Sequence, residues 1–360
     1  MSVASAPRDS SFTRNRAPAS PLLGLMLGDY TGIGPEQCAR VLADARLDDA
    51  ARLLVVGDSR VLAQGARDAG VSLDWRTYST PEEVDWERGE IPLIDLGNLD
   101  PRAIPRGAVS AESGRVAGET LAHMIELALA GRLDGIVFAP LNKAALHAGG
   151  WQFNDEHQMF AHFTRHRGFF GEMNVLDNKW MSRVTSHLSL RSALDLITCE
   201  RVVEALVLAD RTMRDAGIAR PRIAVAALNP HGGEGGLFGR EEIDIIAPAV
   251  ASAAQRGIAC EGPFPADTVF LKAFGDEFDG VLTMYHDQGQ IATKLKGFNR
   301  GVTISGGLET VFATPAHGTA FDIVGRGVAT TGALEQAVRL GARLAASRSR
   351  EKRSAAGAAL

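Results

Sequence analysis

Short apolar runs alternate with longer amphipathic stretches from residue 21 to about residue 340 of the 360-residue chain. The alternation begins with LLGLML, PEQCARVLADARL, ARLLVVG and SRVLAQGARDAG, in that order. Short apolar runs bounded by turn residues are typical of buried strands, and apolar positions that recur every three or four residues are typical of helices. The repeated order of strand and helix predicts an α/β fold with a mainly parallel sheet.

Polar clusters follow several of the predicted strands. They read GDYTGIGPE, APLNKAALHAGG, TSHLSL, LNPHGGEGG and MYHDQGQ along the chain. Open α/β sheets place their ligands at the carboxyl ends of the strands. We therefore expect these clusters to converge on a cleft.

Three histidines, His187, His231 and His286, each follow a predicted strand and lie beside small or polar residues. Neutral imidazoles with an open coordination position suit a catalytic transition metal. The long spacings define no local metal motif, so unrelated structural histidines are an equal interpretation from spacing alone. His286 and Asp287 could also simply open the helix that follows them.

Two carboxylates and two lysines near these clusters are further candidates. Asp267 in FPADTVF and Asp287 beside His286 could orient a ligand histidine or transfer a proton, with helix capping as the equal alternative. Lys143 and Lys294 could bind a substrate anion, although a lysine in a helix is usually solvated.

Composition excludes several function classes. The net charge of −5 and the lack of a basic stripe predict no nucleic-acid partner. No apolar stretch reaches the length of a membrane span, so we expect no membrane partner. The three separated cysteines, Cys38, Cys199 and Cys260, argue against a disulfide framework and favour a cytoplasmic location. The turn at residues 28–34 lacks the G-x-G-x-x-G pattern of a generic Rossmann dehydrogenase.

Taken in order, the motifs resemble the 4-hydroxythreonine-4-phosphate dehydrogenase family, within the wider superfamily of isopropylmalate and isocitrate dehydrogenases. The motifs are GDYTGIGPE, APLNKAALHAGG, SHLSLRSALDLIT, LNPHGGEGGLFGREEID, GPFPADTVF, MYHDQGQ and HGTAFDIVGRGVA. This resemblance implies two α/β/α domains with mainly parallel sheets and an active site in the cleft between them. The predicted boundaries are a disordered tail at 1–20, a cofactor-side domain at 21–137 plus 303–345, a metal and dimer-side domain at 138–302, and a frayed tail at 346–360.

The resemblance also implies the cofactors and the assembly. His187, His231 and His286 match the family's three ligands for a divalent metal, which could be zinc, cobalt, nickel, manganese or magnesium. The loop with His317, Gly318, Thr319 and Asp322 matches the adenosine end of an NAD site, and the acidic Asp322 favours NAD over NADP. The implied assembly is a homodimer whose active sites take residues from both subunits.

The implied reaction is oxidation of a hydroxy acid by NAD at a metal, followed by loss of carbon dioxide. Asp267, Asp287 and Lys294 are the predicted catalytic residues, and Lys294 matches the family's substrate-binding lysine.

The substrate end of the site departs from the family pattern. Residues Asp155 to Gln158 stand where phosphate-substrate members have Gly-His-Thr-Glu, so Glu156 and His157 occupy the places of a substrate-binding His and Thr. Thr303 replaces a substrate-binding Asn, and Phe312 replaces a substrate-binding Arg. Losing that Arg removes bidentate recognition of an anion.

These departures lead us to expect a small non-phosphorylated hydroxy acid as substrate, such as a carboxylated cis-dihydrodiol of the terephthalate type. The alternative is 4-hydroxythreonine-4-phosphate dehydrogenase of vitamin B6 biosynthesis. A second alternative is a non-catalytic, ligand-binding member of the fold.

Overall fold

The structure is a computed structural model that describes residues 20–297 and 300–358. Within these residues, strands from the whole chain join one 12-stranded sheet. The strands are β1 (Leu22–Met26), β2 (Arg52–Gly57), β3 (Trp75–Tyr78), β4 (Ile91–Asp95), β5 (Gly135–Phe138), β6 (Gly171–Leu176), β7 (Lys179–Arg183), β8 (Arg222–Ala226), β9 (Ala259–Phe264), β10 (Gly280–Thr283), β11 (Val302–Gly306) and β12 (Val311–Pro315). Their order in the sheet is β3-β4-β2-β1-β5-β12-β11-β6-β7-β10-β8-β9.

Helices follow most of the strands, as the sequence pattern predicts. They are α1 (Gly34–Ala43), α2 (Ser59–Ala69), α3 (Ala111–Leu129), α4 (Lys143–Ala148), α5 (Glu156–Phe163), α6 (Leu190–Asp195), α7 (Cys199–Asp215), α8 (Ala247–Gln255), α9 (Val269–Phe274), α10 (His286–Gly297) and α11 (Gly332–Ala358). Among the described residues, no helix has both the length and the apolar character needed to cross a membrane.

The sheet is mixed, because β6 pairs antiparallel with β7 and with β11, and β11 pairs antiparallel with β12. The β6–β7 hairpin turns at Asp177 and Asn178, which have φ values of 49° and 62°. Two consecutive residues with positive φ are typical of the two-residue turns that suit the twist of a hairpin, and Asp and Asn adopt them more readily than most residues. The remaining pairings are parallel, so the predicted mainly parallel α/β class is confirmed.

Helices cover both faces of the sheet, which explains why the central strands read as continuous apolar runs. In β1, the buried Leu25 belongs to the same apolar cluster as Val41 of α1 and Val338 of α11. The next residue, Met26, belongs to the cluster that contains Met124 of α3. Successive side chains of one strand therefore enter two different cores.

The tail predicted at 1–20 lies, except for residue 20, outside the described residues. Residues 346–358 of the predicted frayed C-terminal tail lie in α11, which continues to Ala358 because its Ala-, Arg- and Glu-rich sequence has a high helix propensity, and residues 359–360 lie outside the described residues. The division into domains at residues 137/138 and 302/303 stays a prediction.

Candidate functional site

His187 and His286 come together at one edge of the sheet. His187 follows β7, and His286 follows β10, which is the parallel neighbour of β7. Since neighbouring parallel strands end at the same edge, their following residues meet, and the two imidazole ring centroids lie 5.4 Å apart. His286 is also the first residue of α10, so a helix start and a possible ligand coincide at this position.

A carboxylate holds each of these two imidazoles through Nδ1. Nδ1 of His187 forms a short hydrogen bond with the carboxylate of Asp155, and Nδ1 of His286 lies 2.7 Å from Oδ1 of Asp287. A carboxylate on Nδ1 fixes the ring orientation and leaves Nε2 as the nitrogen with a lone pair. Partial burial lowers the pKa of His286, which favours its neutral form. This pair of oriented imidazoles fits a divalent metal.

His231 does not join this pair within the chain. It follows β8 and has a φ of 55°, in a segment where Gly232, Gly233 and Gly235 also have positive φ. Its exposed ring lies 6.3 Å from that of Phe238. Throughout residues 20–297 and 300–358, no group of three His, Cys, Asp or Glu side chains is placed to hold a metal ion.

A cavity of about 360 Å³ opens beside His187. His157, Glu172 and Arg183 line its inner part, and Arg201 and Glu204 line it further along α7. The cavity therefore carries groups of both charges next to one member of the histidine pair.

The segment that departs from the family pattern contributes three lining residues to this cavity, Asp155, His157 and Gln158, and one ion pair outside it. Asp155 caps α5 by accepting a hydrogen bond from the backbone N–H of Gln158 at 2.8 Å, in addition to its bond with His187. His157 is buried, and its Nδ1 lies 2.5 Å from Oγ of Ser305. Glu156 lies 3.5 Å from Nζ of Lys143, so a lysine offsets its charge.

Burial alone would raise the pKa of Asp155, but the hydrogen bond with His187 and the nearby His157 hold it at about 2. The carboxylate is therefore ionised at neutral pH. An ionised acceptor is what the Nδ1–H of a metal-binding histidine requires.

The sequence reasoning missed Glu172, Asn174 and Arg183. They lie on β6 and β7, and Nη2 of Arg183 forms a short hydrogen bond with Oδ1 of Asn174. Burial would raise the pKa of Glu172, but Arg183, His157 and His187 hold it at about 2. The signal available in the sequence was charge within the otherwise apolar strands GEMNVL and KWMSR.

Two of the residues predicted to bind substrate lie deeper in the sheet. Thr303 is buried, and its Oγ1 accepts a hydrogen bond from Nδ2 of Asn174 at 2.9 Å. Phe312 is 1% exposed, and its ring stacks on that of Phe160 with centroids 4.0 Å apart. Because this stack belongs to the apolar core, the geometry does not support the prediction that Phe312 contacts the substrate.

Two predicted catalytic residues lie outside the cavity, and a third contacts the histidine pair. Lys294 is exposed on α10, two turns after His286, and Asp267 is exposed after β9. Asp287 is exposed and contacts His286. Neither Lys294 nor Asp267 lines the cavities that contain His187 and His286.

The predicted cofactor loop packs on the glycine-rich turn at residues 28–34. The backbone N–H of Ile33 donates to the carbonyl of Thr319 at 3.1 Å, and a Cβ on Gly32 would lie 2.8 Å from Cβ of Thr319. Nε2 of His317 lies 3.2 Å from Nε2 of Gln37. Asp322 is exposed at the end of the loop. The first and the last sequence motifs are therefore neighbours, and the close approach requires glycine at position 32.

The chain is similar to known proteins over most of its length. The family model of the pyridoxal phosphate biosynthetic protein PdxA matches residues 49–341. A protein of Pseudomonas aeruginosa, provisionally named 4-hydroxythreonine-4-phosphate dehydrogenase 2, is 49% identical over 91% of this chain and 98% of its own. The D-threonate 4-phosphate dehydrogenase of Cupriavidus necator is 41% identical, over 91% of this chain and 98% of its own.

Among two solved structures, the one named for a phosphate ester is more similar to this chain than the one named for a dihydrodiol. A 4-hydroxythreonine-4-phosphate dehydrogenase from Burkholderia phymatum has 39% identity and a TM-score of 0.75, covering 90% of this chain and 98% of its own. A terephthalate 1,2-cis-dihydrodiol dehydrogenase from Burkholderia xenovorans has 28% identity and a TM-score of 0.63, over 90% of this chain and 98% of its own.

Proposed function

Because the chain belongs to the family of the pyridoxal phosphate biosynthetic protein PdxA, we propose that it oxidises a phosphorylated hydroxy acid at a divalent metal. The resemblance predicted from the sequence is confirmed, and the chain is an NAD-dependent decarboxylating dehydrogenase of this family. The proposed substrate is a four-carbon ester such as 4-hydroxythreonine 4-phosphate or D-threonate 4-phosphate, the compounds in the names of two relatives.

This proposal replaces the non-phosphorylated substrate preferred from the sequence alone. The relatives named for phosphate esters are 49% and 41% identical to the chain, whereas the terephthalate dihydrodiol dehydrogenase is 28% identical. The carboxylate of Glu156, which argued against a phosphate, lies 3.5 Å from the Lys143 ammonium. With its charge offset in this way, Glu156 repels an anion less strongly.

The observation that carries the proposal is the pairing of His187 with His286. Asp155 and Asp287 hold the two rings by Nδ1 and so present both Nε2 atoms as ligands. A divalent metal bound there supplies a Lewis acid that stabilises negative charge on the substrate oxygen. The protein's part is to hold the ligand tautomers and to seat the hydroxy acid in the cavity next to them.

A second copy of the chain completes the metal site in this proposal. Apolar side chains are exposed in the three segments that contain the histidines: Leu188 and Leu190 beyond His187, Leu237 and Phe238 beyond His231, and Ile291 and Leu295 beyond His286. Exposed apolar side chains grouped in this way are typical of a protein interface. Dimerisation through this surface brings the partner subunit's His231 to the pair as the third ligand.

Recognition of the anion falls to cations other than the family's arginine, since Phe312 occupies its place in the core. Arg167 and Arg201 line the cavity, and Lys294 is exposed on α10. The NAD adenosine lies along the loop from His317 to Asp322, where the Asp322 carboxylate accepts hydrogen bonds from ribose hydroxyls.

Steady-state assays test the substrate directly. NADH formation would be measured with 4-hydroxythreonine 4-phosphate, D-threonate 4-phosphate and terephthalate cis-dihydrodiol, each with NAD and with added Mn²⁺ or Zn²⁺. We expect a kcat/KM at least a hundredfold higher for one of the phosphate esters than for the dihydrodiol. A higher kcat/KM for the dihydrodiol would overturn the proposal.

A further inference from the structure

Glu172 lines the cavity next to the histidine pair, and one of its carboxylate oxygens has no partner in the part of the chain that the structure describes. Its side chain is 10% exposed, and its Oε1 accepts a hydrogen bond from Nδ2 of Asn174 at 3.3 Å. Its other oxygen, Oε2, is buried and has no hydrogen-bond partner among the described residues. A buried carboxylate oxygen only accepts hydrogen bonds, and leaving it without a donor is costly.

Three nitrogen atoms surround this oxygen at nearly equal distances. Nη1 of Arg183 lies at 3.7 Å, and Nε2 of His157 and Nε2 of His187 each lie at 3.8 Å. These distances exceed those of hydrogen bonds, so the nitrogens offset the charge of Glu172 without supplying a donor. No described side chain donates to Oε2, which leaves this acceptor available to a molecule that binds in the cavity.

The guanidinium group of Arg183, beside Glu172, is buried and has several polar contacts. The Arg183 side chain is 3% exposed and bonds to Asn174, and the amide of Gln290 lies within 3.2 Å of both its Nη atoms. Arg183 is therefore held beside the Glu172 carboxylate by Asn174 and Gln290.

We propose that Oε2 of Glu172 accepts a hydrogen bond from the substrate's 2-hydroxyl group and so selects a 2,3-dihydroxy acid phosphate over its 2-amino counterpart. This inference rests on the proposed function. The hydroxyl that is oxidised lies at the histidine pair, and Glu172 is 3.8 Å from Nε2 of His187. The acceptor is thus placed for a group on the adjacent carbon, which lies between the oxidised carbon and the carboxylate.

The charges around Glu172 favour a neutral donor at this place. An ammonium group there would be attracted by the Glu172 carboxylate but repelled by the Arg183 guanidinium and by the divalent metal proposed at the histidine pair. A hydroxyl group donates the same hydrogen bond without this repulsion. D-threonate 4-phosphate has a hydroxyl on this carbon, whereas 4-hydroxythreonine 4-phosphate has an amino group.

Three esters and two variants test the inference. The metal-loaded enzyme would be assayed with D-threonate 4-phosphate, 4-hydroxythreonine 4-phosphate and the 2-deoxy ester 3-hydroxy-4-phosphobutanoate. In the wild type we expect D-threonate 4-phosphate to have a kcat/KM at least tenfold above both other esters. Glu172→Gln should lower the kcat/KM for D-threonate 4-phosphate by about tenfold to a hundredfold, since a hydrogen bond to a charged group stabilises binding by about this factor. The kcat/KM for the 2-deoxy ester should stay nearly unchanged in this variant.

Glu126→Gln is the matched control, because Glu126 is an exposed glutamate on α3 that does not line this cavity. It should change none of the three kcat/KM values by more than about twofold. Glu172→Gln also removes a negative charge 3.8 Å from Nε2 of His187, so each variant would be assayed at a Mn²⁺ concentration that titration shows to be saturating.

Several results would overturn the inference. A wild-type preference for the 2-amino ester contradicts it, as does an equal loss on all three esters in Glu172→Gln. If that variant fails to fold, the wild-type ratio between D-threonate 4-phosphate and the 2-deoxy ester decides, and a ratio below about threefold rejects it. Turnover of none of the three esters rejects the proposed function, and this inference with it.

Discussion

Asp155 accepts a hydrogen bond from Nδ1 of His187 across 32 residues of sequence and also caps the first turn of α5. One carboxylate thus ties the helix that carries His157 to the loop that carries a candidate metal ligand. In the family pattern this position is a glycine, which has no side chain to do either. The segment from Asp155 to Gln158 therefore adds an orienting group to the metal end of the site.

Replacing Asp155 tests whether it orients His187. Asp155→Asn keeps a capping oxygen but loses the charge, and we expect Mn²⁺ or Zn²⁺ to bind about tenfold to a hundredfold more weakly. Competition titration against a chelating dye would measure the affinity. Asp100→Asn is the control, because Asp100 also caps a short helix but lies far along the chain beside Arg102. Unchanged affinity in Asp155→Asn would show that His187 is oriented without it.

Substitutions at Phe312 test whether its side chain belongs to the apolar core or contacts the substrate. Phe312→Ala removes the stack on Phe160 and should cost about 3–5 kcal/mol in the free energy of unfolding. Phe312→Arg should fail to fold stably, because its charge would be buried without a partner. Urea unfolding checks both, with the exposed Leu129→Ala as the control. A stable Phe312→Arg protein with improved kcat/KM for a phosphate ester would show that this position faces the substrate.

Introducing a charge into the exposed apolar surface tests whether the chain forms a dimer through it. Leu295 is 84% exposed on α10, and Leu295→Glu should dissociate the proposed homodimer by burying a carboxylate at the interface. Sedimentation velocity would measure the mass, and metal titration would measure the loss of the third ligand. Leu129→Glu places the same charge on an exposed apolar position of α3 and should leave both unchanged. If Leu295→Glu is monomeric and binds metal as tightly as the wild type, the partner subunit's His231 is not a ligand.

The buried carboxylate of Asp58 should make stability depend on pH. Burial opposes its ionisation, but hydrogen bonds from Arg60 and from the backbone N–H of Leu99 lower its pKa in the folded state. A lowered pKa contributes stability above the unfolded-state value near 4, and the contribution is lost as pH falls through the folded-state pKa.

Asp58→Asn should therefore cost about 1–3 kcal/mol at pH 7 and progressively less below pH 4. Urea midpoints of the wild type and the variant, measured from pH 7 downward, give the difference. A difference that stays constant over this range would show that the Asp58 charge contributes nothing.

The regular features of the fold followed from local patterns. Parallel strands such as β5 and β10 are short apolar runs after amphipathic helices, and this order was enough to predict the class. The β6–β7 hairpin was missed because its signal is only the pair Asp177 and Asn178. The register of β6 cannot be predicted from this pair of residues, because it also depends on pairing with β11, which is distant in sequence.

The site was predictable only in part, for a similar reason. His187 and His286 could be identified because each follows a strand, and strand order brought them together. Glu172 and Arg183 become neighbours only through the antiparallel pairing of β6 and β7, which the sequence pattern did not indicate. Phe312 was assigned by its position in a motif, but which core its side chain enters depends on the packing of Phe160.

NADH formation from the phosphate esters, with and without a divalent metal, tests the central claim most directly. The protein would first be treated with a chelator and then assayed with NAD and D-threonate 4-phosphate or 4-hydroxythreonine 4-phosphate, before and after addition of Mn²⁺ or Zn²⁺. We predict no turnover without metal, and one NADH and one carbon dioxide per ester consumed after metal is restored. Turnover without metal would contradict the account. Failure to turn over either ester with metal present would contradict it as well.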